Sequence, residues 1–117
     1  MLLILTKPAA PHEVKQIAKD FAGYIKLVVD LEKEILAGGG KRHFKGKQKL
    51  IAAGSRQSSL WGGGLDLVSG EIDYNSIINL RLSDNNPSRE ILLPELREKF
   101  AKIVKQLIPP ELWTKKP

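Results

Sequence analysis

The chain contains no cysteine. That absence excludes disulfides, thiolate zinc sites and cysteine nucleophiles. Histidine is scarce as well. His12 and His43 lie about thirty positions apart, which is not a ligand spacing. No metal site and no cofactor are expected. Long apolar runs are missing too. Met1 to Leu5 is too short for a secretory core and has no basic stretch before it. No segment approaches the roughly twenty apolar residues of a membrane span. The expectation is a soluble cytoplasmic protein with no membrane partner. Low-complexity stretches and internal repeats are also absent, and 42% of the residues are hydrophobic, which argues against disorder. At 117 residues the expectation is one domain over residues 1–117.

The most telling absence is local. Residues 41–60 hold Lys41, Arg42, Lys45, Lys47, Lys49 and Arg56 and not one acid, a charge of +6. Residues 1–40 sum to zero, residues 61–90 to −3 and residues 91–117 to +3, so this one segment matches the whole net charge of +6. Such a segment concentrates anions around itself, whether phosphates, nucleic acid or an acidic protein.

The apolar pattern places the elements. Residues 2–6 read as a short buried strand. Val14, Ile17, Ala18 and Phe21 share one helical face, which predicts a helix over about 11–22, opened by Pro11 and closed by Gly23. Tyr24 to Asp30 reads as a core strand and Ile35 to Ala37 as its antiparallel return. A short helix near 47–53 would end at Gly54-Ser55. The stretch from Leu65 to Asp73 looks like a hairpin, and Ser76 to Leu82 reads as another strand. Pro94 opens a helix over about 94–108, whose stripe includes Leu96, Phe100, Ile103, Val104 and Leu107. Pro109-Pro110 stops it. Residues 111–117 read as a frayed tail, with Trp113 able to pack back. The fold class is therefore α+β, a mainly antiparallel sheet with two principal helices.

Four segments could carry chemistry. Gly38-Gly39-Gly40 ahead of Lys41, Arg42 and His43 could cradle an anion with successive N–H groups. It is not a nucleotide-hydrolase phosphate loop, because Arg42 stands where serine or threonine is needed and Ile35 where the first glycine is needed. The plainer reading is a flexible connection with a solvated basic rim. His43 lies in a positive cluster that favours its neutral form, so a general base is conceivable, although no partner acid is placed by sequence. Ser55, Arg56, Gln57 and Trp61 combine a hydroxyl, a cation, an amide and an indole. Trp61 could stack on a base, or simply anchor the core. Asn79 and Arg81 would share one strand face and, with Arg89, could grip a carboxylate or phosphate. An ordinary solvent face fits that spacing equally.

The segments Ile35-Leu36-Ala37-Gly38-Gly39-Gly40 with His43, Gly54-Ser55-Arg56-Gln57 with Leu60-Trp61-Gly62, and Ser76-Ile77-Ile78-Asn79-Leu80-Arg81 resemble a small, uncharacterised prokaryotic family of unknown function. The resemblance runs in the same order over most of the chain and brings no activity with it. It implies a more acidic segment after His43 than the Phe44-Lys45-Gly46-Lys47 found here. A shared function would then reside in Gly38 to Gly40, His43, Ser55, Gln57, Trp61, Asn79 and Arg81. Three functional readings follow. The first is a binding module for an anionic ligand such as nucleic acid, using the Gly38–His43 loop and the basic segment. The second is a small hydrolase or nuclease with His43 as base and Arg81 or Arg89 steadying negative charge. The third is a self-associating or protein-interaction domain built on Trp61 and the glycine turn.

Overall fold

The structure is a computed structural model and describes residues 1–113. Five strands form one antiparallel sheet in the order β1-β3-β2-β4-β5. They are β1 (Leu2–Leu5), β2 (Tyr24–Asp30), β3 (Ile35–Gly39), β4 (Leu60–Asp66) and β5 (Ile72–Asp73). Helices α1 (Pro11–Ile17) and α3 (Pro94–Leu107) cover one face, and α2 (His43–Ala52) covers the other. The α+β class and the antiparallel sheet expected from the sequence are what the chain adopts.

Alternation along β2 decides which side chain goes where. Ile25, Leu27 and Val29 point into the larger core, against Ile17 of α1 and Phe100, Ile103 and Val104 of α3. Val28 points the other way and meets Ala37 and Leu50 beneath α2. Burying each large side chain of α3 stabilises the fold by roughly 1.5–3 kcal/mol.

Several elements differ from the sequence expectation. Helix α1 stops at Ile17 rather than near residue 22. Phe21 turns out to bridge Tyr24, and Ala22 and Gly23 both take positive φ. Helix α2 begins at His43, four residues earlier than expected, so His43 and Lys45 are helical and the glycine loop before them is short. Ser76 to Leu82 is not a strand. Ile77–Asn79 forms a 3-10 turn instead. Residues 110–112 form a further 3-10 turn, and the Trp113 indole N–H donates to the Ile108 carbonyl at 3.1 Å, so Trp113 packs back as the sequence allowed. The remainder of the expected tail, 114–117, lies outside the described residues.

Strand β4 runs straight through Gly62-Gly63-Gly64. Glycine weakens a strand interior unless another group must come close. Here it must. A methyl group at Gly62 would sit 2.5 Å from the Ser76 Cβ, and one at Gly64 would overlap the Tyr24 hydroxyl. The three glycines admit neighbours that complete the next layer of structure.

Candidate functional site

Strand β4 is where several of the sequence candidates, His43, Trp61, Asn79 and Arg81, meet. Moving along it, Trp61 carries Arg81, Gly62 carries Asn79, Gly63 carries His43 and Gly64 carries Tyr24 with Asp73.

Trp61 is 5% exposed and belongs to the core. The Arg81 guanidinium lies over its ring, Cζ 3.8 Å from the centroid. Arg81 Nη1 donates to the Gln57 carbonyl at 2.9 Å, and Nε stands 3.4 Å from Asp84 Oδ2. Nε and Nη2 are buried and have no hydrogen-bond acceptor. Burial is also what lowers the pKa of the guanidinium, against the opposing pull of Asp84. Three sequence candidates, Gln57, Trp61 and Arg81, therefore form one cluster.

Asn79 is fully buried. Its Oδ1 accepts from the Gly62 N–H at 2.8 Å, and its Nδ2 donates to the Gly62 carbonyl at 2.9 Å. The amide thus pairs with β4 as a neighbouring strand would. The same Nδ2 reaches the carbonyls of Tyr74 and Arg89. Asn86, not singled out from sequence, repeats the device one layer out, donating to the carbonyls of Asn79, Ser88 and Glu90. These two amides hold residues 74–92 in place, and the Asn79 Nδ2 has no N–H left for a ligand. The Arg89 side chain is exposed. The expectation that Asn79 and Arg81 share a strand face fails because the backbone there turns.

His43 Nε2 lies 2.7 Å from the Gly63 carbonyl. A carbonyl only accepts, so Nε2 carries the hydrogen and Nδ1 is the nitrogen left to titrate. Burial lowers the His43 pKa, and Lys26 adds to that effect. The Gly63 bond and Asp73 oppose it. Nearby, the Tyr24 hydroxyl donates to Asp73 Oδ2 at 2.6 Å. Burial and then Asp73 push the phenol far above the ordinary tyrosine range. Tyr24, Lys26 and Asp73 were not found from sequence. The signal was present in β2, where Tyr24, Lys26 and Val28 alternate onto the α2 face.

The glycine segment forms no open anion cradle. Gly38 and Gly39 belong to β3, and Gly39 has φ +99°, where a Cβ would run into the Met1 carbonyl and Ile17. The Gly40 N–H already donates to Asp20 Oδ2 at 3.0 Å, so a carboxylate of the chain itself occupies that position. Ser55 is buried and donates to Asp30 Oδ2 at 2.7 Å. Arg56 is exposed and paired with Glu32 through two bonds of 3.0 and 2.7 Å.

Lys41, Arg42, Lys45, Lys47 and Lys49 differ from Arg56. Among the described residues none of them is in an ion pair. Phe44, Lys45, Gln48 and Lys49 are exposed on the outer face of α2, with Lys41 and Arg42 just before it. Among the described residues no three His, Asp or Glu side chains gather as a metal set, and no helix is long and apolar enough to cross a membrane.

Residues 3–107 match the model of the family DUF5674, described as a protein of unknown function, and the chain belongs to that family. No curated protein and no solved structure matches it significantly.

Proposed function

We propose that this member of DUF5674 is a binding module for nucleic acid, and that the outer face of α2 is the contact surface. One observation carries the reading. Segment 41–60 holds six cations and no acid, and five of the six have no ion-pair partner among the described residues. Leaving so many like charges together on one short helix and its lead-in is unfavourable unless an anion joins them. Phe44, 52% exposed among these lysines, adds a flat surface on which a base can stack. The glycines contribute by shaping the turn that presents Lys41 and Arg42, since the Gly40 N–H is already taken.

The test is fluorescence anisotropy with a labelled single strand and a duplex over a salt series. Affinity should fall linearly on a log–log plot. The double variant Lys45→Glu/Lys49→Glu should reduce the slope by about two and weaken every sequence alike. Phe44→Ala should weaken the single strand selectively, by about 1–3 kcal/mol. Binding that ignores salt, or that survives the double variant unchanged, overturns the reading.

Self-association is a second reading, favoured by a different surface from the one expected. Trp61 is buried, but Ile77, Leu80, Leu82, Leu92 and Leu93 are all 48% exposed or more within one excursion of the chain. Large exposed apolar patches on soluble proteins mark contact surfaces. Light scattering at rising concentration checks it, and Leu82→Lys should return any dimer to monomer.

A further inference from the structure

Between α2, the 3-10 turn at Gln57–Ser59 and the turn at Ile77–Asn79 lies a recess of about 150 Å³. Lys47, Gln57 and Arg81 line it with Leu60, Ile78 and Leu80, and no acid does. Lys47 is turned inward on α2, unlike Lys45 and Lys49, and it is half-buried with no ion pair among the described residues. The Arg81 side chain is only 12% exposed. Of its five N–H groups, one has a well-formed acceptor, the Gln57 carbonyl, while Nε and Nη2 have none. A buried guanidinium normally has its donors paired, because a buried N–H left without an acceptor is costly.

We infer that the recess is a seat for one tetrahedral oxyanion, the phosphate of a monoester, held between the Lys47 ammonium and the Arg81 guanidinium. Size and charge argue together. At about 150 Å³ the recess has room for one phosphate group, and the rest of a monoester would extend into solvent. Two cations match a doubly charged group better than a carboxylate. The Trp61 ring backs the Arg81 guanidinium, Cζ 3.8 Å from its centroid, and so preorganises it for oxygen acceptors. Asp84 is the internal competitor, its carboxylate beside Nε but not hydrogen-bonded to it. The inference goes beyond the nucleic-acid reading, because Lys47 faces the recess and the outer face of α2 does not form it.

Trp61 gives the readout. In a Trp113→Phe background, its emission should change saturably with inorganic phosphate at constant ionic strength. A nucleoside 5′-monophosphate should act likewise, sulfate more weakly, and acetate hardly at all. Lys47→Gln should weaken phosphate at least about tenfold without moving the melting temperature measured in its absence. Asp84→Asn should tighten it, by removing the competing carboxylate, and Lys45→Gln should leave it unchanged. Emission indifferent to phosphate, equal responses to phosphate and acetate, or Lys47→Gln binding like the parent would each overturn the inference. The Lys45→Glu/Lys49→Glu variant separates the two proposals. It should lose nucleic acid and keep phosphate.

Discussion

The Arg81 guanidinium lies over the Trp61 indole, Cζ 3.8 Å from the ring centroid, and both groups are almost enclosed. A cation on an indole face in a desolvated setting is a favourable pair rather than two neighbours. A double-mutant cycle with Trp61→Leu and Arg81→Met should therefore show a coupling energy of about 0.5–2 kcal/mol in chemical denaturation. The coupling should hold as salt is raised, since the pair is buried. Additive single effects would mean that the stacking contributes nothing to stability.

Asn79 and Gly62 make a sharper case. One amide pairs with both backbone groups of one residue in β4. Asn79→Ala would leave the Gly62 N–H and the carbonyls of Gly62, Tyr74 and Arg89 without that partner. The expected loss is about 3 kcal/mol or more in urea denaturation, because each deserted buried group costs about 1–3 kcal/mol. Asn79→Asp should be no better at neutral pH. Its carboxylate would face three carbonyls, so its pKa would be raised and its stability should recover as the solution is acidified. A mild effect from both substitutions would show that water readily replaces the amide.

The same residue shows why the sequence was only partly legible. Ser76 to Leu82 has the apolar content of a strand, and periodicity sees nothing else. What overrides it is a side chain acting as backbone, a role that only the tertiary contacts reveal. Gly62 to Gly64 is the opposite case. Glycine is poor in strand interiors, yet these three continue β4 because Ser76, Asp73 and Tyr24 need the space a Cβ would fill. Patterns set by burial on one face were readable. Leu27 and Phe100 lie where alternation and helical spacing put them. The convergence of Gln57, Trp61 and Arg81 was not readable, because the chain returns to Trp61 through the turn at Ile77–Asn79, where the alternation of the sequence does not describe the backbone.

Tyr24 and Asp73 are coupled through a 2.6 Å hydrogen bond over Gly64. The folded-state pKa of the phenol is raised by burial and by Asp73. Above about pH 10 the unfolded chain therefore releases this proton first, and stability must fall as pH rises further. Tyr24→Phe should cost about 1–2 kcal/mol at neutral pH by leaving one Asp73 oxygen without its donor. It should also flatten the decline above pH 10 relative to the parent. Parallel declines in the two proteins would show that other groups, such as the lysines, dominate that range.

The acid side belongs to His43. Its folded pKa lies below the ordinary histidine value, chiefly through burial. The unfolded chain then binds a proton that the folded chain resists. Stability is full above about pH 6.5 and declines as pH drops from there toward the folded value. His43→Gln can keep a donor for the Gly63 carbonyl and cannot charge. Urea midpoints measured from about pH 7.5 to pH 5 should fall for the parent and fall less for the variant, with the difference opening below about pH 6.5. If the two curves stay parallel, the His43 ring takes up its proton without disturbing its seat against Gly63. A drop in the variant at every pH would instead mean that the imidazole ring itself is needed to seat the start of α2 against β4.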